Sequence, residues 1–215
     1  MKEHPIIFNG EMVKAILGGC KTVTRRIVKP QPTTDNWPAK ITCGLYAPTK
    51  IDRCGDEYPG TDVYGFANEN EGWVCPYGVP GDRLWVREAF SVVPLKSGKM
   101  GPIYRADGDD EFDRIEVGWQ FMEKWRPSIH MPRWASRITL EVVSVRVERV
   151  QDIDEMDATH EGIEKHIGIH ARHDFSILWD SINAKRGSGW DVNPWVWAIE
   201  FKRLAERERE NGEGR

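Results

Sequence analysis

The hydrophobic positions near the start of the chain first predict a strand and then a helix. Three consecutive apolar residues, at positions 6–8, are typical of a short buried strand. Behind them, Met12 and Ile16, like Val13 and Leu17, are four residues apart, which aligns them as one apolar stripe along a helix. An asparagine before this stripe and a pair of glycines after it are favourable helix ends, so we expect the helix to stop at the glycines.

The second half of the chain carries longer apolar patterns. From Ile138 the apolar positions alternate with polar ones, and the alternation shifts by one residue between Val142 and Val143. Such a shift predicts a bulge or a sharp bend, which closed sheets need. Residues 175–183 have apolar side chains at helical spacing, and residues 194–201 predict a closing strand.

Segment 29–80 lacks a clear hydrophobic period and is rich in proline and glycine. Prolines exclude long helices and discourage central strands, so we expect a long irregular insertion with short hairpins near 41–43 and 63–66. We expect it to cover one end of a single domain that spans residues 1–205. Residues 206–215 are predicted to form a charged C-terminal tail.

Charge and composition limit the partners. The 215 residues carry a net charge of −4, which disfavours strong nonspecific binding to nucleic-acid polymers. A nucleoside without phosphates fits this charge better. No apolar run approaches the roughly 20 residues of a transmembrane helix, and the first residues lack the apolar segment of a signal peptide. We therefore expect a cytoplasmic protein without membrane contact.

A stretch rich in basic and hydroxyl side chains follows the glycine pair, with the sequence Lys-Thr-Val-Thr-Arg-Arg at 21–26. Lys21 and Thr24 would point to opposite faces of a straight strand, so they can act together only if the chain turns between them. A lysine with a lowered pKa can take a proton from a hydroxyl group, whereas a cationic lysine can hold an anionic centre. The sequence leaves both roles open.

A short helix is predicted at residues 154–162, with Asp154 as its N-cap and Gly162 at its end. Glu161 then falls in the last turn, where the helix dipole disfavours a carboxylate. Partial burial would raise the pKa of such a group, which suits a general acid or base. The alternative is an ordinary exposed glutamate at a helix end.

Several segments, in this order, resemble the ASCH domain family, whose members are PUA-like β-barrels. They are Gly19-Cys20-Lys21-Thr22-Val23-Thr24-Arg25, Gly81-Asp82-Arg83-Leu84-Trp85-Val86-Arg87-Glu88, Pro132-Arg133-Trp134-Ala135-Ser136-Arg137, Asp157-Ala158-Thr159-His160-Glu161-Gly162 and Trp195-Val196-Trp197-Ala198-Ile199-Glu200-Phe201. The chain is most similar to longer ASCH proteins of phages and prophages. The resemblance implies an α+β fold, with a closed or nearly closed β-barrel, flanking short helices and a long insertion.

The resemblance also implies an activity. In ASCH-type amidohydrolases a lysine, a threonine and a glutamate act together, and the corresponding residues here are Lys21, Thr24 and Glu161. The expected reaction is hydrolysis of the N4-acyl amide of an acylated cytidine-type nucleoside, without a metal or another cofactor. Thr24 or a water would attack the carbonyl, Lys21 would activate the hydroxyl and support the oxyanion, and Glu161 would move the proton to the leaving amine.

Seven further side chains are candidates for binding the substrate, because they adjoin the lysine or lie at the mouths of predicted strands. These are Arg25, Arg26, Glu88, Arg133, Trp134, Ser136 and Arg137. Trp134 would either stack on a base or plug the barrel. Glu88 would be either a second acid of the pocket or the partner of an arginine.

Two other classes of function stay open. PUA-like barrels commonly hold RNA, so the chain could be a non-catalytic RNA-binding module that uses its arginines on phosphates and Trp134 against a base. Three cysteines of the insertion, Cys43, Cys54 and Cys75, could instead hold zinc in a protein-interaction module. The pattern along the chain does not indicate an oligomeric state.

Overall fold

The computed structural model describes residues 1–33, 37–69, 71–94, 99–108, 124–163 and 170–205. The predicted tail at 206–215 lies outside the described residues. Strands in several sheets and a few helices make up the described chain, which confirms the α+β class. Within the described ranges, no helix has the length and apolar character needed to cross a membrane.

The strands are β1 (Glu3–Ile7), β2 (Val23–Ile27), β3 (Lys40–Thr42), β4 (Gly44–Tyr46), β5 (Thr49–Ile51), β6 (Glu57–Pro59), β7 (Val63–Ala67), β8 (Gly72–Val74), β9 (Arg83–Arg87), β10 (Phe90–Pro94), β11 (Met100–Tyr104), β12 (Thr139–Arg149) and β13 (Trp195–Arg203). The α-helices are α1 (Gly10–Leu17), α2 (Glu155–His160) and α3 (Ala171–Asn183). Strands β10 and β11 form a separate antiparallel hairpin.

The central sheet has the strand order β1-β9-β12-β13-β2, and β3 joins it by pairing with β12. Strand β1 runs parallel to β9, and the other neighbours pair antiparallel. The register of β12 against β13 shifts between Val142 and Ser144, which confirms the bulge that the hydrophobic pattern predicts. Strand β2, which contains most of the basic stretch, lies at the edge of this sheet and pairs with the long strand β13.

Strand β13 is buried on both faces. Trp195, Trp197 and Ile199 belong to the main hydrophobic core, whereas Val196 packs into a second core with α2 and α3. Successive side chains of a strand point to opposite faces, so these two cores lie on opposite sides of β13. The closing strand therefore joins the sheet to the helical layer that includes Phe175.

The expectation of an irregular insertion at 29–80 is wrong. Six short strands form there: β4, β7 and β8 make an antiparallel sheet, β5 pairs with β6, and β3 extends the central sheet. The hairpin expected near 63–66 is present, because β7 pairs with the following strand β8, whereas the residues near 41–43 form β3, which pairs with the distant β12. Most of these strands have three residues, which is too short for a period to show in the sequence.

Aromatic rings attach the insertion to the central core. Phe66 of β7 stacks on Trp73 of β8 with ring centroids 4.9 Å apart, and its edge contacts Trp197 at 5.3 Å. The indole N–H of Trp73 donates to the carbonyl oxygen of Pro30 at 2.8 Å. Such aromatic pairs are worth roughly 0.5–1.5 kcal/mol each beyond the apolar area they bury, so the insertion is a packed part of the domain.

Gly65 of β7 allows this packing to be tested. A Cβ added there would lie 1.8 Å from the carbonyl oxygen of Trp73, whereas one at its register partner Gly44 meets no atom within 4 Å. We expect Gly65→Ala to force β7 and β8 apart and to destabilise the protein by roughly 2 kcal/mol or more. Thermal unfolding should show a Tm lower by about 4 °C or more. The matched control Gly44→Ala should stay close to wild type, and equal Tm values for the two variants would contradict this packing.

Candidate functional site

The basic stretch begins at the end of α1, as the sequence predicts. The side chain of Asn9 caps the helix by accepting from the N–H of Met12 at 2.9 Å. Gly19 follows the helix with a φ of 76°, a left-handed conformation that glycine adopts without a steric penalty. The N–H of Lys21 then donates back to the carbonyl of Ala15 at 3.1 Å. Lys21 lies before β2, so the alternation of strand side chains does not apply to it.

Lys21 is buried against the end of α2. Its Nζ donates to three oxygens, namely Glu161 Oε2 at 2.5 Å, the Glu161 carbonyl at 2.8 Å and the Val23 carbonyl at 2.9 Å. The backbones of the two residues also form an antiparallel bridge, and the N–H of Thr22 donates to the carbonyl of His160 at 2.8 Å. Backbone and side-chain contacts together hold this lysine and this glutamate in one place.

The hydrogen bonds of Lys21 bear on its two possible roles. Burial lowers the pKa of its ammonium group, the charge and hydrogen bond of Glu161 oppose that shift, and Arg26 and Arg25 add to it. An ammonium group has three protons to donate, and all three have acceptors here. The resting geometry therefore favours a cationic lysine that holds an anion, and proton uptake by Lys21 would require one of these bonds to break.

Glu161 links this pair to Arg25. Its Oε1 accepts from Arg25 Nη1 at 3.3 Å while Oε2 contacts Lys21, and only 5% of the residue is exposed. The alternative of an exposed surface glutamate is therefore wrong. Helix α2 has the predicted N-cap Asp154, but it ends at His160, so Glu161 is its C-cap. The carboxylate thus lies just past the helix end, between two cations.

Arg25 belongs to a buried ion network that the sequence did not indicate. Its Nη2 donates to Glu148 Oε1 and to Asp157 Oδ2, both at 2.6 Å, and its side chain is fully buried. Arg146 bridges the same two carboxylates, at 3.0 Å and 2.5 Å. Glu148 is the residue that sequence reasoning missed, because an acidic residue among alternating valines of a strand is normally taken to face solvent. The network fixes the guanidinium that contacts Glu161.

A cavity of about 430 Å³ opens beside Thr24 and Glu161. This size falls in the roughly 300–1,000 Å³ range of small-molecule sites. Aromatic rings from β13, α3 and the insertion line it, namely Trp197, Phe175, Trp179 and Tyr77. Thr24 and Glu161 are among the described lining residues, and Lys21 is not. Of the predicted triad, Thr24 and Glu161 therefore belong to the wall of the cavity, while Lys21 contacts the Glu161 carboxylate from within the protein.

The end of β8 and the residues that follow it form part of this cavity. Val74, Pro76 and Tyr77 line it, so the insertion contributes to the pocket as well as to the core. Burial raises the pKa of the Tyr77 hydroxyl, and the nearby charge of Arg26 acts against that increase. Tyr77 is consequently neutral near pH 7, and it can offer a hydroxyl to a ligand.

Five of the predicted binding residues lie elsewhere. Glu88 and Arg137 form a two-pronged pair with both contacts at 2.9 Å, and the Arg137 guanidinium lies 3.9 Å from the Tyr104 ring centroid. Glu88 is thus the partner of an arginine; burial raises its pKa and Arg137 lowers it. It lines a separate cavity of about 330 Å³. This arrangement matches the second of the two roles considered for Glu88.

The remaining three residues of that group are engaged on the surface or with backbone. Arg133 pairs with Glu3 at 2.8 Å, and the hydroxyl of Ser136 contacts the Val86 carbonyl at 2.8 Å. Trp134 is 64% exposed, so the idea that it plugs a barrel is wrong. Of the seven candidates, only Arg25 and Arg26 line the large cavity in the described part of the chain.

The four cysteines are free thiols in the structure. Cys43 and Cys75 are buried in the core, whereas Cys54 is exposed in the turn between β5 and β6. Within the described ranges, no group of three or more His, Cys, Asp or Glu residues has an arrangement that could hold a metal ion. The cysteines can be distinguished chemically.

Alkylation of the native protein tests this distinction. Burial raises the pKa of the Cys43 thiol to about 12 and that of the Cys75 thiol to about 11, so both should be protonated at pH 8. We expect iodoacetamide to modify Cys20 and Cys54 in the folded protein, and all four cysteines only after denaturation. Peptide mass spectrometry gives the sites. Rapid modification of Cys43 in the native protein would contradict the burial described here.

Comparison of the chain with protein-family models, with curated proteins and with solved structures found no match.

Proposed function

We propose that the protein is an ASCH-type amidohydrolase that removes the acyl group from N4 of an acylated cytidine. The proposal rests on the sequence resemblance, and one structural observation supports it most. The Glu161 carboxylate, held between Lys21 and Arg25, shares the wall of an aromatic-lined cavity with Thr24. Flat rings suit a pyrimidine base, and a threonine and a glutamate in the wall of one cavity suit acyl transfer.

The reaction adds water across the amide bond. The acyl carbon gains an oxygen, the bond to N4 breaks, and N4 gains a proton to give cytidine and a carboxylic acid. Thr24, or a water in its place, supplies the nucleophilic oxygen, and Glu161 accepts its proton and passes it to the departing nitrogen. Where Thr24 attacks, the acyl group is left as an ester on its oxygen, and a water that gives its proton to Glu161 then hydrolyses this ester, which releases the carboxylic acid and restores the hydroxyl. Lys21 positions Glu161 and offers positive charge as the carboxylate becomes protonated and ionised again. The cytosine ring is an acceptable leaving group because the departing nitrogen is conjugated with it.

A PUA-like barrel, closed or nearly closed, is part of the same proposal. Its support comes from the two ends of the central sheet, β1 and β2. Arg26 of β2 donates through Nη2 to the carbonyl of Ile7 at 2.5 Å, and its guanidinium lies 5.0 Å from the centroid of the Phe8 ring. Side-chain contacts between the outermost strands of one sheet require that the sheet curve strongly.

The RNA-binding alternative has one observation in its favour. Trp134 exposes 64% of its surface next to Arg133, and Ile129 nearby in the chain is 57% exposed. Exposed aromatic and basic side chains are the usual platform for single-stranded RNA. This surface does not include the large cavity, so the two functions can be separated by experiment.

Incubation of the purified protein with N4-acetylcytidine, followed by chromatography, tests the enzymatic proposal. We expect equimolar cytidine and acetate, formed in proportion to enzyme concentration. A parallel titration with a fluorescent single-stranded RNA should show only weak binding. No cytidine from several N4-acylated cytidines, together with micromolar RNA binding that weakens in Trp134→Ala, would favour the RNA-binding module instead.

A further inference from the structure

The large cavity is more basic than the chain as a whole. Four cationic residues line it, and Glu161 is the acidic residue among its described lining residues. Arg25 and Glu161 belong to the ion network and contact each other. Arg26, Lys29 and Arg186 therefore leave three positive charges around a cavity in a protein whose net charge is −4.

Arg26 carries an unused donor. Its Nε is buried and has no hydrogen-bond partner among the described residues, although its Nη2 is bonded to the Ile7 carbonyl. A buried N–H without a partner costs roughly 1–3 kcal/mol, so a rotation of the Arg26 side chain that brings this donor to a ligand acceptor would be stabilising. Arg26 lies two residues from Thr24 on β2, which places both on the same face about 7 Å apart.

Lys29 and Arg186 reach the same cavity from different elements. Lys29 follows β2, and Arg186 ends the short 3-10 turn Ala184–Arg186 behind α3. Both are exposed, and neither forms a salt bridge within the described part of the chain. Two long cationic side chains at the solvent side of an aromatic-lined cavity are well placed for a charged group that remains partly hydrated.

We infer that this basic side of the cavity binds a phosphate, so that the preferred substrate is a monophosphate of an N4-acylated cytidine. This inference rests on the proposed amidohydrolase function. Arginine and lysine side chains are the usual partners of phosphate oxygens, and Arg26 adds a third positive charge to those of Lys29 and Arg186. The base would lie among the aromatic rings with its amide at Thr24 and Glu161. Three positive charges are enough to neutralise one phosphate group, whereas strong binding of a polynucleotide requires the neutralisation of many phosphates.

Steady-state kinetics with two substrates test the inference. We expect wild type to hydrolyse N4-acetylcytidine 5′-monophosphate with a kcat/KM at least ~10-fold above that of N4-acetylcytidine, a ratio typical of one or two charge-assisted contacts. Lys29→Gln and Arg186→Gln should each lower kcat/KM for the nucleotide by ~3–10-fold and leave that for the nucleoside unchanged. The control Lys185→Gln, an exposed neighbour of Arg186 that does not line the cavity, should behave as wild type.

The possible results distinguish the phosphate site from the amidohydrolase function on which it rests. Equal kcat/KM values for the two substrates, unaffected by either variant, would overturn the phosphate site and leave the amidohydrolase intact. If neither substrate is hydrolysed, the proposed function fails, and calorimetric titration with cytidine 5′-monophosphate and with cytidine decides the binding question. Tighter binding of the nucleotide that is lost in the Lys29→Gln/Arg186→Gln double variant supports the site. Equal binding, or an RNA oligonucleotide that displaces the nucleotide far more strongly than free monophosphate does, overturns it.

Discussion

Glu161→Gln is expected to lower kcat/KM for N4-acetylcytidine by roughly 10²–10⁴-fold, the usual contribution of a general acid–base group. The amide keeps the size of the carboxylate, but its single oxygen can accept from only one of Lys21 and Arg25, and its NH2 group faces the other. It cannot take a proton from Thr24 or from water at neutral pH. The substitution therefore removes the proposed proton transfer while it preserves the shape of the site.

Two measurements keep this prediction specific. The Tm of Glu161→Gln should be recorded, so that a loss of activity is not mistaken for unfolding. Glu155→Gln is the matched control, because Glu155 is an exposed residue of the same helix α2. It should retain wild-type kcat/KM. A folded Glu161→Gln protein with more than about a tenth of wild-type activity would exclude Glu161 from the proton transfer.

Arg25→Met is expected to give the largest loss of stability, roughly 3–5 kcal/mol in the free energy of unfolding, because it leaves buried carboxylates without their partner. Glu148 is 0% exposed and Glu161 is 5% exposed, and both accept hydrogen bonds from this one guanidinium. Chemical denaturation measures the change. Lys202→Met breaks an exposed pair with Glu141 and should change stability by less than about 1 kcal/mol.

The pH dependence of the stability difference between wild type and Arg25→Met is a second test of the ion network. Burial opposes ionisation of Asp157, but Arg25 and Arg146 outweigh it and hold the pKa of Asp157 below its ordinary value of 3.8. A depressed pKa adds stability above the ordinary value, and that stability is lost as the pH falls through the folded-state pKa. The gap between wild type and Arg25→Met should therefore narrow below about pH 4. A gap that widens on acidification would contradict the network.

Local features of the fold could be predicted from the sequence, because each depends on neighbouring residues. The Asn9 cap, the glycine stop after α1 and the Asp154 cap of α2 all involve hydrogen bonds that span a few residues. The bulge at Val142 was visible as a break in a period of two. The pairing of Lys21 with Glu161 was expected only from the family resemblance, since 140 residues separate them.

What the sequence could not show depends on long-range packing. Glu148 is buried because β3 pairs with its strand and because Arg25 of β2 donates to its carboxylate. The residues next to Glu148 in the sequence do not indicate either contact. The short strands of the insertion also depend on long-range contacts, because pairing with other strands determines their conformation more than their own composition does. Glu88 and Arg137 were candidates because they lie at the ends of predicted strands, and their pairing with each other depends on contacts between residues 49 positions apart.

Lys21 also has a structural role, because it is the hydrogen-bond donor to three buried oxygens. A buried ammonium with three acceptors cannot be removed without leaving the Glu161 carboxylate and two carbonyl oxygens without their donor. The same contacts that stabilise the junction between α2 and β2 hold the proposed base in the wall of the cavity. Stability and the proposed reactivity therefore depend on one cluster, so we expect the two substitutions described above to have large and different effects.

Hydrolysis of N4-acetylcytidine in H₂¹⁸O, with mass analysis of both products, is the most direct test of the proposed cleavage of the N4-acyl amide. We expect acetate that carries one ¹⁸O atom and cytidine that carries none, because water adds to the acyl carbon and the bond to N4 breaks. Labelled uridine together with acetamide would show attack on the ring instead. Either that result or the absence of any product from a folded protein would contradict the proposed amidohydrolase.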